Sequence, residues 1–275
     1  MNQTSVALMG AIAGLTIFLG LPVARMRSVS PRAQGFLNAI ATGVLLFLVV
    51  EILGHANESV QGTLGGLHRG AVGPFVELVA VYVIGLGVGF LGLIWFNRVF
   101  ARRMPRDRLR GPGAAIAAAA QPVPAARGLA LMIASGLGLH NFSEGLAIGQ
   151  SAGAGALALT GVLVVGFALH NVTEGFGIAA PMASDRERPG WGFLGLAGVI
   201  GGGPTLVGSV VGFNVVSSWA FVLFLALAAG ALIYVINEMF AVCRRLGSPS
   251  LMATGLLAGF LIAFGTDLFL TFAGA

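Results

Sequence analysis

Long stretches of this chain carry no charged or strongly polar side chain, and that decides which solvent it can fold in. Residues 43–50 and 220–232 are continuously apolar. A helix needs about 20 apolar residues to cross the hydrocarbon core of a bilayer. Eight stretches reach that length, at about 5–24, 33–53, 73–97, 127–149, 154–181, 191–213, 217–243 and 249–273. The period-two alternation of membrane β-strands is absent. The fold class expected is therefore all-α and integral to the membrane, an eight-transmembrane-helix bundle forming one domain over residues 1–275. Composition agrees: 57% of residues are hydrophobic and only 9% charged, which excludes a disordered chain, a nucleic-acid module and an ordinary cytosolic enzyme. The first apolar run is long, lacks a basic segment before it and ends at Arg25, so it reads as a membrane helix and not a cleavable leader.

The net charge of +5 is carried entirely by arginine, and its placement reads as topology. Short basic loops are retained in the cytoplasm. Arg25, Arg27 and Arg32 adjoin the first connection, Arg98 to Arg127 flank the third, Arg186 and Arg188 the fifth, and Arg244 and Arg245 the seventh; only Arg69 falls in an even-numbered one. Odd connections are thus expected inside and both termini outside. The long third connection, 101–126, is Ala-rich and broken by Pro112, Pro122 and Pro124, as in a flexible cytoplasmic linker. With Cys243 as the single cysteine, an intrachain disulfide and a thiolate-rich metal cage are excluded.

Against this apolar background one motif occurs twice, offset by 30 residues: His140-Asn141-Phe142-Ser143-Glu144-Gly145 and His170-Asn171-Val172-Thr173-Glu174-Gly175. Residues four apart share a helix face, so each helix offers an imidazole beside a carboxylate, near mid-membrane. The connection around 151–155 is short, which makes the two helices antiparallel neighbours and lets His140, Glu144, His170 and Glu174 converge. Two carboxylates and two neutral imidazoles suit a divalent transition metal, Zn²⁺ first, with Fe²⁺, Mn²⁺, Co²⁺ or Cd²⁺ also compatible; Ca²⁺ and Mg²⁺ prefer all-oxygen shells. Gly145 and Gly175, with Gly136, Gly138 and Gly149, are expected to let helix backbones approach and bring the ligand pairs together. Two other uses of the same residues stay open. The pairs can act as helix-to-helix hydrogen bonds alone, or they can serve a membrane-embedded enzyme or electron carrier built on a haem or a metal. Against the latter, a bis-histidine haem needs no carboxylates, and no His-Glu-x-x-His pattern is present.

At these residues the sequence resembles the ZIP (Zrt/Irt-like) family of divalent-metal transporters, whose hallmark is an eight-helix bundle with His-Asn-x-x-Glu-Gly-type motifs in the fourth and fifth segments. The resemblance implies a 3+2+3 arrangement. Segments 1, 4, 5 and 6 would form a moving transport unit, and segments 2, 3, 7 and 8 a dimerising scaffold. It further implies a homodimer, a non-enzymatic role, and inward carriage of the metal by an elevator-like motion. The expected location is a cell membrane, in particular a bacterial inner membrane. His140, Glu144, His170 and Glu174 match the family's primary metal ligands, and Asn141 and Asn171 the positions facing a second, adjacent site. Two departures stand out. The family often has Pro before each Glu, where this chain has Ser143 and Thr173, whose hydroxyls can bond back one turn and bend the helix less. Binuclear members carry a Glu before a Pro in segment six; here Gly203 precedes Pro204, so a mononuclear centre is expected.

The remaining acids lie toward the surfaces. Glu51 and His55, again four apart, with Glu58, His68, Glu77 and Asp267, form a candidate entrance on the outer side. Glu238, toward the inner end of segment seven, is a candidate exit, with Arg244 or Arg245 as an ordinary ion-pair partner in its place.

Overall fold

A computed structural model describes residues 1–26, 30–67, 70–103, 126–183, 188–215, 217–246 and 249–273. Among these the regular elements are all helical. Eight long ones follow the chain: α1 Gln3–Leu15, α2 Pro31–Gln61, α3 Val72–Arg103, α4 Ala126–Gly153, α5 Leu157–Ala179, α6 Trp191–Asn214, α7 Ser218–Leu246 and α8 Pro249–Ala273. Asn2 starts α1 by accepting from the Ser5 amide at 2.9 Å. Ser30 does the same for α2 through Ala33 at 3.2 Å, with Pro31 at the first helical position. The expected linker over 101–126 lies almost wholly outside the described residues, as do His68, Asp107, Asp185 and Glu187.

Two helices differ from expectation. α1 is interrupted at Thr16 and continues through the short helix Ile17–Gly20 and the 3-10 turn Leu21–Arg25. The Thr16 hydroxyl faces the carbonyls of Ala13 and of Ala168 on α5, at 2.7 and 2.6 Å, which ties the break to the neighbouring helix. α2 runs eight residues past its apolar stretch; at 31 residues it is about 47 Å long, well beyond the hydrocarbon thickness. Its extra turns carry His55, Asn57 and Glu58, all exposed.

Seven of the eight helices are long and apolar enough to cross a membrane, which makes this a multi-pass membrane protein. The exception is α4. His140, Asn141, Ser143 and Glu144 lower its mean hydropathy, yet it is buried on most of its surface, from Gly128 to Ala152. A helix walled in by other helices does not need an apolar exterior, so α4 forms without meeting the criterion that its sequence position suggests.

The helices pack in two sets. α4 lies along α6, α6 along α1, and α1 along α5; separately, α2 packs on both α7 and α8, and α7 on α3. Within each set the backbones meet at glycine. A methyl group at Gly145 would overlap the Thr205 carbonyl, one at Gly149 the Ser209 carbonyl, and one at Gly175 the Ile17 carbonyl. The second set repeats the device at Gly43 against Leu256 and Gly89 against Leu227. Between the sets, α4 meets α7 through side chains: a methyl group at Gly136 would lie 3.3 Å from Leu232 and 3.6 Å from Ala231. The glycines thus do bring backbones together, but they join each motif helix to α6 or α1, not α4 to α5 as the sequence suggested.

Gly145→Ala should accordingly destabilise the protein by about 1–3 kcal/mol, since the added methyl meets a carbonyl that cannot yield. Gly87→Ala, where nothing lies within 4 Å, should be neutral or better. Thermal unfolding of the two variants in detergent measures the difference.

Candidate functional site

The hairpin that carries both motifs turns at Gly155, whose φ of 76° lies in the left-handed region that suits glycine. A hydroxyl contact between Ser151 and Thr160, 3.0 Å, fastens its two arms. Neither Ser143 nor Thr173 breaks its helix. Ser143 Oγ donates to the Leu139 carbonyl at 3.4 Å and Thr173 Oγ1 to the His170 carbonyl at 2.7 Å, the back-bonding expected of hydroxyls in place of proline.

The four expected donors converge. His140 Nε2 lies 3.3 Å from Glu144 Oε1 on its own helix and 3.9 Å from Glu174 Oε1 on α5. Glu144 Oε1 lies 3.8 Å from His170 Nδ1. The imidazoles cross nearly at right angles, centroids 6.4 Å apart. Exposure is 5% for His140 and Glu144, 1% for His170 and 0% for Glu174. The intrahelical pairing expected of both motifs holds for His140 with Glu144, whereas His170 turns to Glu144 across the hairpin.

Almost none of these groups is satisfied by the protein. Both nitrogens of His140 and of His170, both oxygens of Glu144 and Oε1 of Glu174 are buried without a hydrogen bond of regular geometry. Buried polar atoms are normally paired, and isolated buried charge is costlier still. Around a tetrahedral ion with bonds near 2.1 Å, donors stand about 3.4 Å apart, close to the spacing of the His140 and Glu144 pair. As the side chains stand, however, no group of three or more His, Cys, Asp or Glu among the described residues is arranged to hold a metal. The close pairs form an open chain, Glu174 to His140 to Glu144 to His170, and closing it into a shell takes side-chain rotation.

Asn141 and Asn171 are brought together as expected, but they spend their hydrogen bonds on the site's framework. Asn141 Nδ2 donates toward Asn171 Oδ1 at 2.6 Å, Glu174 Oε2 at 2.8 Å and the Gly201 carbonyl of α6 at 3.0 Å. Asn171 donates to the Phe167 carbonyl at 2.9 Å. One amide thereby ties α4, α5 and α6 together and holds the only satisfied oxygen of Glu174.

The surface-side candidates separate. Glu51 is half-buried, its Oε2 buried and unpaired, within the electrostatic field of His140, Glu144, Glu174 and Asp267. Asp267 is half-buried, while His55 and Glu77 are exposed and join no cluster among the described residues. Glu238 is half-buried on α7, and no ion pair among the described residues joins it to the four donors. α6 was missed: Thr205 is fully buried with an unpaired hydroxyl, and the Gly201 carbonyl receives Asn141. Pro204 marks this helix in the sequence but not that carbonyl, since a mid-helix proline frees the carbonyl four residues earlier, that of Ile200.

No protein-family model matches the chain, and no curated protein matches it.

If Asn141 holds Glu174 in place, Asn141→Leu should cost about 1–3 kcal/mol by stranding that carboxylate. Ser143→Ala, which loses one long bond within its own helix, should change little. Chemical denaturation of both variants without added metal makes the comparison.

Proposed function

We propose that this protein is a membrane carrier that binds a divalent transition-metal ion, zinc first, at His140, Glu144, His170 and Glu174 and moves it across the bilayer toward the cytoplasm. The observation that supports this reading is the set of buried, unpaired donor atoms on those four residues. An intramembrane ionisable residue is a functional site by default, and here two carboxylates of charge −2 face two imidazoles with their nitrogens free. One divalent cation neutralises the charge and satisfies the donors together. Because the same donors take up protons, metal affinity should fall as pH falls.

The path follows from the remaining acids. Asp267 and then Glu51 pass the cation from the outer side to the central donors, and Glu238 receives it on the inner side. The packing supports a moving unit: α1, α4, α5 and α6 meet at backbone level, as do α2, α3, α7 and α8, while the contact of α4 with α7 at Gly136 is made of side chains. The first set then moves as a body against the second. This matches the ZIP resemblance of the two motifs, as does placement of the chain as a homodimer in a cell membrane, a bacterial inner membrane, with both termini outside.

Equilibrium dialysis should find one zinc ion per chain, and His140→Ala with Glu144→Ala should weaken binding at least tenfold. In proteoliposomes the double variant should lose uptake; equal rates in variant and parent would overturn the proposal. Glu51→Gln should slow uptake yet leave one ion bound, whereas Glu77→Gln should change neither.

A further inference from the structure

The four central donors are not equally placed. The pair within α4, His140 with Glu144, stands at 3.3 Å, while the two pairs that span α4 and α5 stand at 3.9 and 3.8 Å. Donors around a tetrahedral zinc ion stand about 3.4 Å apart, so the shortfall lies in the spacing between α4 and α5. Beyond the hairpin turn, that spacing is governed by the chain of α1. It seats on α6 at Gly10 and Gly14, where added methyl groups would meet Ser209 and the Gly202 carbonyl. Past its break it seats on α5: Gly175, next to Glu174, faces the Ile17 carbonyl, and Gly20 faces the Val172 carbonyl. α6 is fastened in turn to α4 at Gly145 and Gly149. α5 and α6 scarcely touch each other directly, so α1 carries the register of one to the other.

Thr16 lies between the two seats. Its hydroxyl is 2.7 Å from the Ala13 carbonyl and 2.6 Å from the Ala168 carbonyl of α5, two residues before His170. A hydroxyl has one proton to donate, so one of these bonds is made at the expense of the other. Thr42, Ser135 and Ser209 are also hydroxyls within helices, and they donate to carbonyls of their own helices. Thr16 differs in having a second acceptor on a neighbour. α1 is interrupted at this same residue, so its two seats belong to separate helices. Closing the end of α1 requires only the Ala13 bond, the back-bonding common to helix hydroxyls; the approach to Ala168 bears on α5.

We propose that Thr16 is a positioning residue for the metal site. By donating to the Ala168 carbonyl it holds α5 where His170 and Glu174 reach an ion bound by His140 and Glu144, and by returning to the Ala13 carbonyl it releases them. The inference rests on the metal-binding reading of those four donors. Thr16 supplies no ligand itself; it acts through the helix that carries two of them.

The test titrates zinc into the metal-stripped, full-length protein in detergent and compares Thr16→Ser, Thr16→Cys and Thr16→Val with the parent. Groups that orient metal ligands from outside are worth about 10–100-fold in affinity, so Thr16→Val, which keeps the shape and loses the donor, should weaken binding about tenfold. Thr16→Ser keeps the hydroxyl and should bind as the parent does. Thr16→Cys offers a weak donor and should fall between. X-ray absorption of the zinc-loaded protein should show less imidazole scattering in Thr16→Val, as His170 withdraws. Thr42→Val removes a buried hydroxyl from the other helix set and should leave affinity and spectrum unchanged, even where it lowers stability. Affinity that does not follow donor strength, an unchanged spectrum in Thr16→Val, or an equal loss of binding in Thr42→Val would each overturn the inference. A parent that binds no zinc would remove it together with the metal-binding reading. A parent that binds zinc with the expected order of variants but carries out no uptake would remove only the carrier and leave the role of Thr16 standing.

Discussion

Two imidazoles and two carboxylates sit buried with most of their hydrogen-bonding capacity unused within the protein, and the rest of the structure answers to that. Each ion removed from water costs several kcal/mol even after relaxation, against a total stability of only about 5–15 kcal/mol for a folded domain. Such a cluster persists only where packing around it is tight enough to offset the cost and to exclude lipid. The glycine contacts of α4 with α6, and of α5 with the broken end of α1, supply that packing directly behind the two motifs. They bring carbonyl-bearing backbone, in place of bulky side chains, up to the polar helices. The Gly201 carbonyl then takes a hydrogen bond from Asn141, which an ordinary apolar helix face does not offer.

The same contacts divide the molecule. Glycine seams run within the set of α1, α4, α5 and α6 and within the set of α2, α3, α7 and α8, whereas α4 at Gly136 meets leucine, alanine and valine side chains of α7. Packed side chains have alternative registers of similar energy, whereas interlocked backbones do not. Asn141, Asn171 and Gly201, which frame the donors, belong to the same set, but Glu51 comes from α2, across the boundary.

Much of this was legible in the sequence because it is periodic. The i, i+4 spacing placed His140 beside Glu144, the 30-residue offset and short connection placed the second motif opposite the first, and the hydroxyls of Ser143 and Thr173 bonded back as their chemistry dictates. What was not legible depends on which surfaces meet. The glycines announced close approach but not the partner, since a missing side chain carries no label for the helix it admits. Glu51 read as an interfacial acid because linear distance along α2 does not show that one of its oxygens is buried within electrostatic reach of the central donors. The contributions of α6 were hidden for a different reason: Gly201 acts through a carbonyl, which every residue possesses. α4 shows the converse, where a helix with too much polarity to stand in lipid is nonetheless stable because α6, α7 and α5 wall it in.

The neutral amides define the charge of the site. Asn141 donates to Asn171 and to Glu174, and Asn171 to the Phe167 carbonyl, so within the two motifs the charge is that of Glu144 and Glu174 alone. Two negative charges in a low-dielectric interior match one divalent cation; a third or fourth would leave net charge uncompensated unless a second cation entered with them. The amide hydrogen bonds also do what an aspartate could not, because Asn141 donates to the Glu174 carboxylate and so leaves one of its oxygens satisfied and the other free. Replacing the acid by the amide thus subtracts a charge and adds a fixed orientation. The lack of an acid at Gly203 and the presence of amides at 141 and 171 thus act in one direction: they leave the charge of the two motifs to Glu144 and Glu174 and spend the neighbouring polar groups on hydrogen bonds.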